Sequence, residues 1–190
     1  MRRRLQTSAR AWAVFAAVLT LACGGDGATG GAGTGAPQDA GGAAVVPGAR
    51  IGATVYYASG DGTSLVPVER EVPLGDGVLA QGRQILEAQL GEPPDGLRSV
   101  FPAGTRLRGF YVTERGEAFV DLSAEVAASH PGGALTEQLT VFAIVNAVTT
   151  NLPAVERVQI LIGGREVDSL AGHLDLRRPL EADPSLVRNP

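Results

Sequence analysis

The sequence has few of the residues that carry enzyme or metal chemistry. Its 190 residues include one cysteine, Cys23, and two histidines, His130 and His173, and they contain no Gly-x-Ser-x-Gly nucleophile motif. The histidines do not have the ligand spacing of a zinc site. Aromatic residues make up 5% of the chain. We therefore predict no catalytic residue, no metal site and no cofactor.

Long apolar runs are also missing. A helix that spans a bilayer needs about 20 consecutive apolar residues. The most apolar segment, 134–152, is interrupted by polar residues, which are Thr136, Glu137, Gln138, Thr140, Asn146, Thr149 and Thr150. Its apolar positions follow the helical period on most sides, so the segment is predicted to be a core helix covered by the rest of the domain.

Positive charge is scarce beyond the N-terminus. All 16 basic residues are arginine, and four of them precede Cys23, where no acidic residue occurs. The other 12 arginines stand against 20 acidic residues, so the net charge of −4 becomes −8 without the N-terminal segment. Nucleic-acid binding depends on a basic surface. We predict no nucleic-acid partner.

The first 22 residues have the parts of a bacterial export signal. A start rich in arginine is followed by an apolar run over 11–21, which is too short to span a bilayer. The run ends in Thr20-Leu21-Ala22-Cys23, which resembles the bacterial lipobox. We predict a signal peptide over 1–22, a diacylglyceryl group on the sulfur of Cys23, and an extracytoplasmic, lipid-anchored protein. The alternative is a secreted protein whose signal is cut near Ala22, with an unpaired thiol.

Residues 23–48 are predicted to form a flexible linker. Glycine and alanine dominate this segment and large apolar residues are almost absent, so it cannot bury enough surface to offset its ordering entropy. A coil of the 25 residues 24–48 spans about 25–30 Å. That length would let the domain reorient above a membrane.

Residues 49–180 are predicted to fold as one domain, followed by a frayed tail over 181–190 that contains two prolines. Periodicity and turn residues predict strands and helices in this order: strands over 51–59 and 65–72, a helix over 78–90, a hairpin of 106–113 with 118–122, the helix from 134, and strands over 158–162 and 165–167. We predict an α+β domain in two layers, with two helices on one side of a mixed, mostly antiparallel sheet.

The helix over 78–90 has a capping residue and an apolar face. Asp76 stands at the capping position, and Gly82 inside the helix costs about 1 kcal/mol unless close packing requires a bare backbone. The predicted apolar face consists of Val78, Leu79, Ile85, Leu86 and Leu90. The sequence Gly75-Asp76-Gly77 is interpreted as helix capping, since its glycine spacing is not the dinucleotide fingerprint.

Four further residues invite a metal or catalytic hypothesis. His130 precedes a proline and His173 follows a glycine, so both are predicted to be exposed or to satisfy turns. Asp121 is predicted to accept a local hydrogen bond, and Asp175 has no recognised ligand spacing.

The order of motifs resembles the GerMN domain of sporulation and spore germination lipoproteins. The matching segments are the strand at 65–70, the helix end at 86–91 with Pro93, Phe101-Pro102-Ala103-Gly104-Thr105, the segment 118–123, Gly132-Gly133 with Glu137, and 155–164 with Gly172-His173-Leu174-Asp175-Leu176. This chain has one copy of the domain, whereas the namesake type has two. The resemblance implies an extracytoplasmic domain with a core similar to ring-building motifs, a role in envelope assemblies and no established catalytic activity.

We therefore expect a non-catalytic, lipid-anchored envelope module that binds a protein partner or assembles with its own copies. The edge strands at 65–72 and 165–170 are the predicted contact surfaces, because unpaired backbone groups can add a strand. The alternative is a module that binds a small ligand or cell-wall polymer through aromatic residues, which would be Tyr56, Tyr57, Phe110, Tyr111 and Phe119. An envelope hydrolase or metal enzyme is the third hypothesis.

Overall fold

The computed structural model describes residues 48–188. The chain divides into two units, Met1–Gly42 and Ala43–Pro190, and the described residues all belong to the second. The predicted signal peptide, Cys23 and the predicted linker up to residue 47 lie outside the described residues.

The domain begins with an antiparallel hairpin. Strand β1 spans Arg50–Ala58 and strand β2 spans Leu65–Pro73, and together they form a two-stranded sheet. The Asp61 carboxylate holds the turn between them, where it accepts hydrogen bonds from the Ser59 hydroxyl at 2.5 Å and the Thr63 hydroxyl at 2.9 Å. These bonds hold the pKa of Asp61 well below its usual range. The predicted turn is confirmed.

A second sheet contains the other four strands. They are β3 (Leu107–Val112), β4 (Glu117–Leu122), β5 (Arg157–Ile162) and β6 (Arg165–Glu166), in the spatial order β3-β4-β5-β6. Only the β4–β5 pair is parallel. Gly163 and Gly164 connect β5 to β6 with φ of +61° and +79°, the backbone of a two-residue hairpin turn.

Two long helices pack against both sheets. Helix α1 spans Gly77–Gln89 and contacts β1, β2 and β3, while helix α3 spans Ala134–Asn151 and contacts β1 and β5. Every residue of 139–148 is buried. The predicted core helix is confirmed, and none of the helices within 48–188 is long and apolar enough to cross a membrane. A short helix, α2 (Glu125–Ala128), precedes α3.

The predicted α+β class with a mixed, mostly antiparallel arrangement is confirmed, but the strands form two sheets instead of one. Side-chain amides explain the division. The Gln89 amide binds both the N–H and the C=O of Tyr56, at 2.7 and 2.6 Å, and the Asn151 amide binds both groups of Thr54, at 2.9 and 2.7 Å. Each amide supplies the donor and the acceptor that a neighbouring strand would supply. Two helices therefore complete this edge of β1.

The predicted apolar face of α1 is partly wrong. Ile85 and Leu86 are buried, but Val78 is 37% exposed and Leu79 is 48% exposed. Gln81 and Gln89 are buried instead. Hydrophobicity alone does not select these glutamines for the interior; Gln89 is buried because its amide closes the edge of β1.

The start of α1 also differs from the prediction, whereas the close packing considered for Gly82 is found. Asp76 stands at the N-cap position, but its side chain accepts no capping hydrogen bond. The Gly75 N–H instead donates to Oε1 of Gln81 at 2.9 Å. Gly82 is needed for close packing, since a Cβ there would lie 2.1 Å from the Phe110 ring.

The tail at 181–190 is held to the domain up to residue 188, in contrast to the predicted fraying. The Asn146 side chain binds both the N–H and the C=O of Asp183, at 3.0 and 3.1 Å, and the Arg188 N–H donates to the Leu65 carbonyl at 2.8 Å. A 3-10 helix over Pro184–Leu186 lies between these contacts. The tail is ordered because a buried amide of α3 satisfies its backbone.

Candidate functional site

The structure places the residues considered for metal or catalytic chemistry in three parts of the domain; only His173 and Asp175 share a loop, where Asp175 accepts hydrogen bonds from Arg177. His130 lies in the loop before α3, and His173 lies in the loop after β6. Asp121 accepts hydrogen bonds from the Gly164 N–H at 2.7 Å and from Nε of Arg108 at 3.1 Å, so its partners are 43 and 13 residues away in the chain and not local as predicted. Within 48–188, no group of three or more His, Cys, Asp or Glu residues is arranged to hold a metal ion. Cys23 lies outside the described residues.

The aromatic surface that the ligand-binding alternative requires is largely inside the core. Tyr56, Tyr57 and Phe110 are buried, and their side chains pack between the helices and the sheets. Tyr111 is 57% exposed and Phe119 is half-buried on the second sheet. Two neighbouring aromatics are a small platform for a cell-wall polymer, so the geometry gives that alternative little support.

The predicted edge strands offer few free backbone groups. The Thr54 and Tyr56 backbones point away from β2, so their partners across the hairpin, Glu69 and Pro67, point outward from β2. Outward positions on β2 therefore include Pro67 and Pro73, which have no N–H.

Other outward groups of β2 are already bonded. The Leu65 carbonyl accepts from Arg188, and the Glu71 carbonyl accepts from the Arg50 guanidinium at 2.6 Å. The other predicted edge is a two-residue strand, and the Leu170 N–H beyond it donates to Glu137. Addition of a partner strand is therefore a poor fit to both edges.

A groove beside Phe101 is a better-formed contact surface than either edge strand. It consists of two adjoining clefts that share Ser99, Phe101 and Pro102, and we call it the Phe101 groove. One cleft, of about 320 Å³, lies between the end of β1, the loop at 98–102 and the start of α3. The other, of about 400 Å³, lies between the end of α1 and residues 101–105. Two segments of the GerMN resemblance, 86–91 with Pro93 and 101–105, thus meet in one place.

The walls of the Phe101 groove are more apolar in the first cleft and about half polar in the second, with one charged side chain in each cleft. Leu139 lines the first cleft and Leu90 lines the second. The first cleft also contains the Arg98 side chain and the second contains Glu92, and both side chains are exposed. The two clefts therefore carry opposite charges, and the groove is electrostatically asymmetric.

Hydrogen bonds hold the loop that forms the groove. Ala58 and Arg98 exchange backbone hydrogen bonds of 2.9 Å in both directions, which attaches the loop to β1. The Thr105 hydroxyl donates to the Pro102 carbonyl at 2.7 Å, and Gly104 has φ of +84°. The segment 101–105 is therefore a closed turn whose shape is defined before any partner binds.

A neutral histidine connects this loop to α3. The Gly132 N–H donates to Nδ1 of His130 at 3.1 Å, so Nδ1 carries no proton, and Nε2–H donates to the Thr140 hydroxyl at 3.0 Å. The Thr140 hydroxyl in turn donates to the Val100 carbonyl at 2.7 Å. Burial lowers the pKa of His130, and the negative charge of Glu137 only partly opposes this effect. Protonation of Nδ1 would disrupt the bond to Gly132.

A buried carboxylate holds the loop after β6. The Glu137 side chain is fully buried, and its two oxygens accept hydrogen bonds from the backbone N–H groups of Leu170, Ala171 and His173 at 2.8–2.9 Å. Nδ1 of His173 lies 3.1 Å from the same carboxylate. Burial acts to raise the pKa of Glu137, but the N–H groups of Ala171, His173 and Leu170 together outweigh it and lower the pKa.

The role of Glu137 was not identified from the sequence, where the residue appeared as a polar interruption of an apolar helix and as part of the GerMN resemblance. The signal was present, since an acidic residue inside a buried helix requires a partner. The partner could not be identified, because the loop that supplies the N–H groups lies more than 30 residues away. Two segments quoted for the resemblance, Glu137 and Gly172-His173, thus meet in this contact.

Comparison with known proteins agrees with this architecture. The family model Germane, described as sporulation and spore germination, matches residues 54–168. A Clostridium perfringens protein assigned as a lipoprotein is 25% identical with a TM-score of 0.51, and the alignment covers 70% of this chain and 87% of that one. No match occurs among curated protein sequences.

Two structures of the sporulation protein GerM from Bacillus subtilis have the same fold. Its tandem GerMN domains are 19% identical with a TM-score of 0.52, over 71% of this chain and 46% of that chain. Its first GerMN domain is 23% identical with a TM-score of 0.51, over 70% and 96%. This chain therefore corresponds to one repeat of the tandem protein. Since the family model covers more than half of the sequence, the chain belongs to the Germane family of sporulation and spore germination proteins, and its folded part is a GerMN domain.

Proposed function

We propose that this protein is a lipid-anchored module of the bacterial cell envelope that binds a protein partner through the Phe101 groove and catalyses no reaction. The observation that carries the proposal is the groove itself, which has apolar and polar wall surface, a preformed turn and opposite charges in its two clefts. Such a surface suits recognition of a protein segment. His130, which lies beside the groove, has both ring nitrogens engaged in hydrogen bonds and is poorly placed for acid–base chemistry.

The lipid anchor is proposed on Cys23. It rests on the export signal, on the resemblance of residues 20–23 to a lipobox, and on the similarity to the Clostridium perfringens protein assigned as a lipoprotein. Cys23 is the only cysteine, so a single substitution removes the attachment point.

The anchor is tested by expressing the full-length chain and its Cys23→Ala variant with an alkyne-labelled fatty acid. We expect the unmodified sequence to incorporate the label and to enter the detergent phase of a Triton X-114 extraction, and the variant to do neither. A Cys23→Ala protein that still enters the detergent phase would overturn this part of the proposal.

The partner is proposed to be an extended protein segment. Each cleft flanks Phe101 and has the volume for a large apolar side chain, so the segment would present two such side chains on either side of the ring. Arg98 favours an acidic residue at one end of the segment, and Glu92 favours a basic residue at the other.

Photo-crosslinking in cells tests the position of the partner. A photoreactive amino acid at Ala103, which is exposed in the groove, should give a crosslinked envelope protein, whereas the same amino acid at Ala154, exposed in the turn before β5, should not. Ala103→Arg should abolish the partner's co-purification and Ala154→Arg should preserve it. An adduct of twice the chain mass would identify a second copy as the partner, and equal adducts at both positions would contradict the groove.

A further inference from the structure

Three exposed aliphatic side chains fall within the segment 74–79, at the end of the domain where the linker enters. Leu74 is 42% exposed, Val78 is 37% exposed and Leu79 is 48% exposed, and we call them the Leu74 tip. Within 48–188 these are three of only five large hydrophobic side chains with such exposure. They do not pack on the hydrophobic core.

The backbone brings the three residues to the same end of α1. The Gly75 N–H is bonded to the Gln81 side chain, and a Cβ on Gly75 would lie 2.4 Å from the backbone nitrogen of Gln81. The chain before α1 therefore folds onto the first turns of the helix. Leu74, which precedes Gly75, is therefore held at the end of α1 where Val78 and Leu79 lie.

The tip adjoins the point where the domain leaves the linker. The Leu74 N–H donates to the Ala49 carbonyl at 2.8 Å, and Ala49 directly follows the predicted linker. The linker as predicted from the sequence has a span of about 25–30 Å from Cys23. An anchored domain would therefore meet the bilayer with this end closest to the attachment.

We infer that the Leu74 tip docks on the surface of the lipid bilayer and orients the domain there. This inference rests on the proposed lipid anchor, because the anchor makes docking intramolecular. A tether of this length gives an effective concentration in the millimolar range, so a weak contact of three aliphatic side chains suffices.

Charges around the tip predict the kind of lipid that matters. Exposed Arg50 and Arg83 are balanced by exposed Glu71 and Asp76, and Arg50 is paired with Glu71 at 3.5 Å. Attraction to anionic lipid therefore contributes little, and burial of apolar side chains supplies the contact. Docking is expected on zwitterionic vesicles and should vary little with salt.

Docking would direct the Phe101 groove away from the membrane. β1 runs from Arg50 at the tip to Ala58 in the groove, a length of about 26 Å, and α1 runs in the same direction over about 20 Å. The Leu74 tip and the Phe101 groove thus occupy opposite ends of the same two elements. A docked domain presents its groove to a partner outside the bilayer.

The sequence permits a clean fluorescence test. Trp12 is the only tryptophan and lies in the predicted signal peptide, so residues 23–190 contain none, and Cys23 is their only cysteine. All described elements lie within 48–188, so removal of 1–22 leaves them intact. We would couple Cys23 of the chain 23–190 to a maleimide phospholipid in zwitterionic vesicles and introduce one tryptophan as a reporter.

With Leu79→Trp, we expect a blue-shifted emission on coupling and quenching by lipids brominated near the headgroup. Tyr111→Trp, a matched reporter on the second sheet, should show neither. Adding Leu74→Ser and Val78→Ser to the Leu79→Trp chain should remove most of the quenching, with circular dichroism unchanged. Equal behaviour of the two reporters, or a blue shift that depends on protein concentration without lipid, would overturn the inference; the latter would indicate self-association.

The chemical coupling separates this inference from the proposed anchor. A reporter that stays in water would refute docking and leave lipidation of Cys23 in cells unaffected. A Cys23→Ala protein that is still membrane-bound in cells would refute the anchor and leave the vesicle result unaffected.

Discussion

The two loops that flank α3 are held to it by opposite chemical means. The loop after β6 is bound by the charged Glu137 carboxylate, and the loop at 98–102 is bound by the neutral pair of His130 and Thr140. Both contacts are buried, so both must satisfy every polar group they enclose. In the charged contact, three backbone N–H groups donate to the one Glu137 side chain. In the neutral contact, single hydrogen bonds link Gly132, His130, Thr140 and Val100 in a chain. This fold therefore depends on polar residues of its most apolar helix.

The largest effect is expected from Glu137→Gln. A glutamine keeps the size but turns an NH₂ group toward N–H donors such as that of His173, so the loop would lose hydrogen bonds to a charged acceptor and face a repulsive contact. We expect a loss of about 3 kcal/mol in the free energy of unfolding, measured by urea denaturation.

The matched control for this substitution is Glu87→Gln on the exposed face of α1. It should change the free energy of unfolding by less than about 0.5 kcal/mol. If the two variants lose similar amounts, the buried carboxylate does not hold the loop.

A smaller effect is expected from Thr140→Val. The substitution conserves shape but leaves the Val100 carbonyl and Nε2–H of His130 without their partner, which should cost about 2 kcal/mol. Thr149→Val is the control on the same helix, because that hydroxyl donates only to carbonyls of its own helix, and it should cost less than about 0.5 kcal/mol. Hydrogen exchange should show faster exchange at 98–102 in Thr140→Val alone; uniform exchange in both variants would contradict the local role.

These contacts mark the limit of prediction from the sequence. The strands, the hairpin turns and α3 follow from local period and glycine placement, and the structure confirms them. The burial of Gln89, the division into two sheets and the ordered tail do not follow, because each depends on an amide side chain whose partner is 33 or more residues away. The Phe101 groove was not predicted from the sequence, where 101–105 appeared only as a motif of the resemblance. Its form required the positions of α1 and α3, which no local pattern supplies.

The smallest effect is expected in the pH dependence of stability, which distinguishes the His130 contact from the Glu137 contact. The pKa of His130 is lowered from 6.5, so the unfolded chain binds the proton more readily, and stability should fall as the pH drops from above 6.5 toward the lowered pKa. The pKa of Glu137 is lowered from 4.5, so its contribution is fully present above pH 4.5 and is lost as the pH falls through its folded value. His130→Gln should therefore flatten the pH dependence of the urea midpoint between pH 7 and about pH 5. Glu137→Gln should keep that slope, lower the midpoint above about pH 4.5, and remove the further loss of stability that protonation of Glu137 causes below about pH 4.5. A slope near pH 6 that survives in His130→Gln would show that another group controls it, and the neutral bond between Gly132 and His130 would not be the acid-sensitive contact.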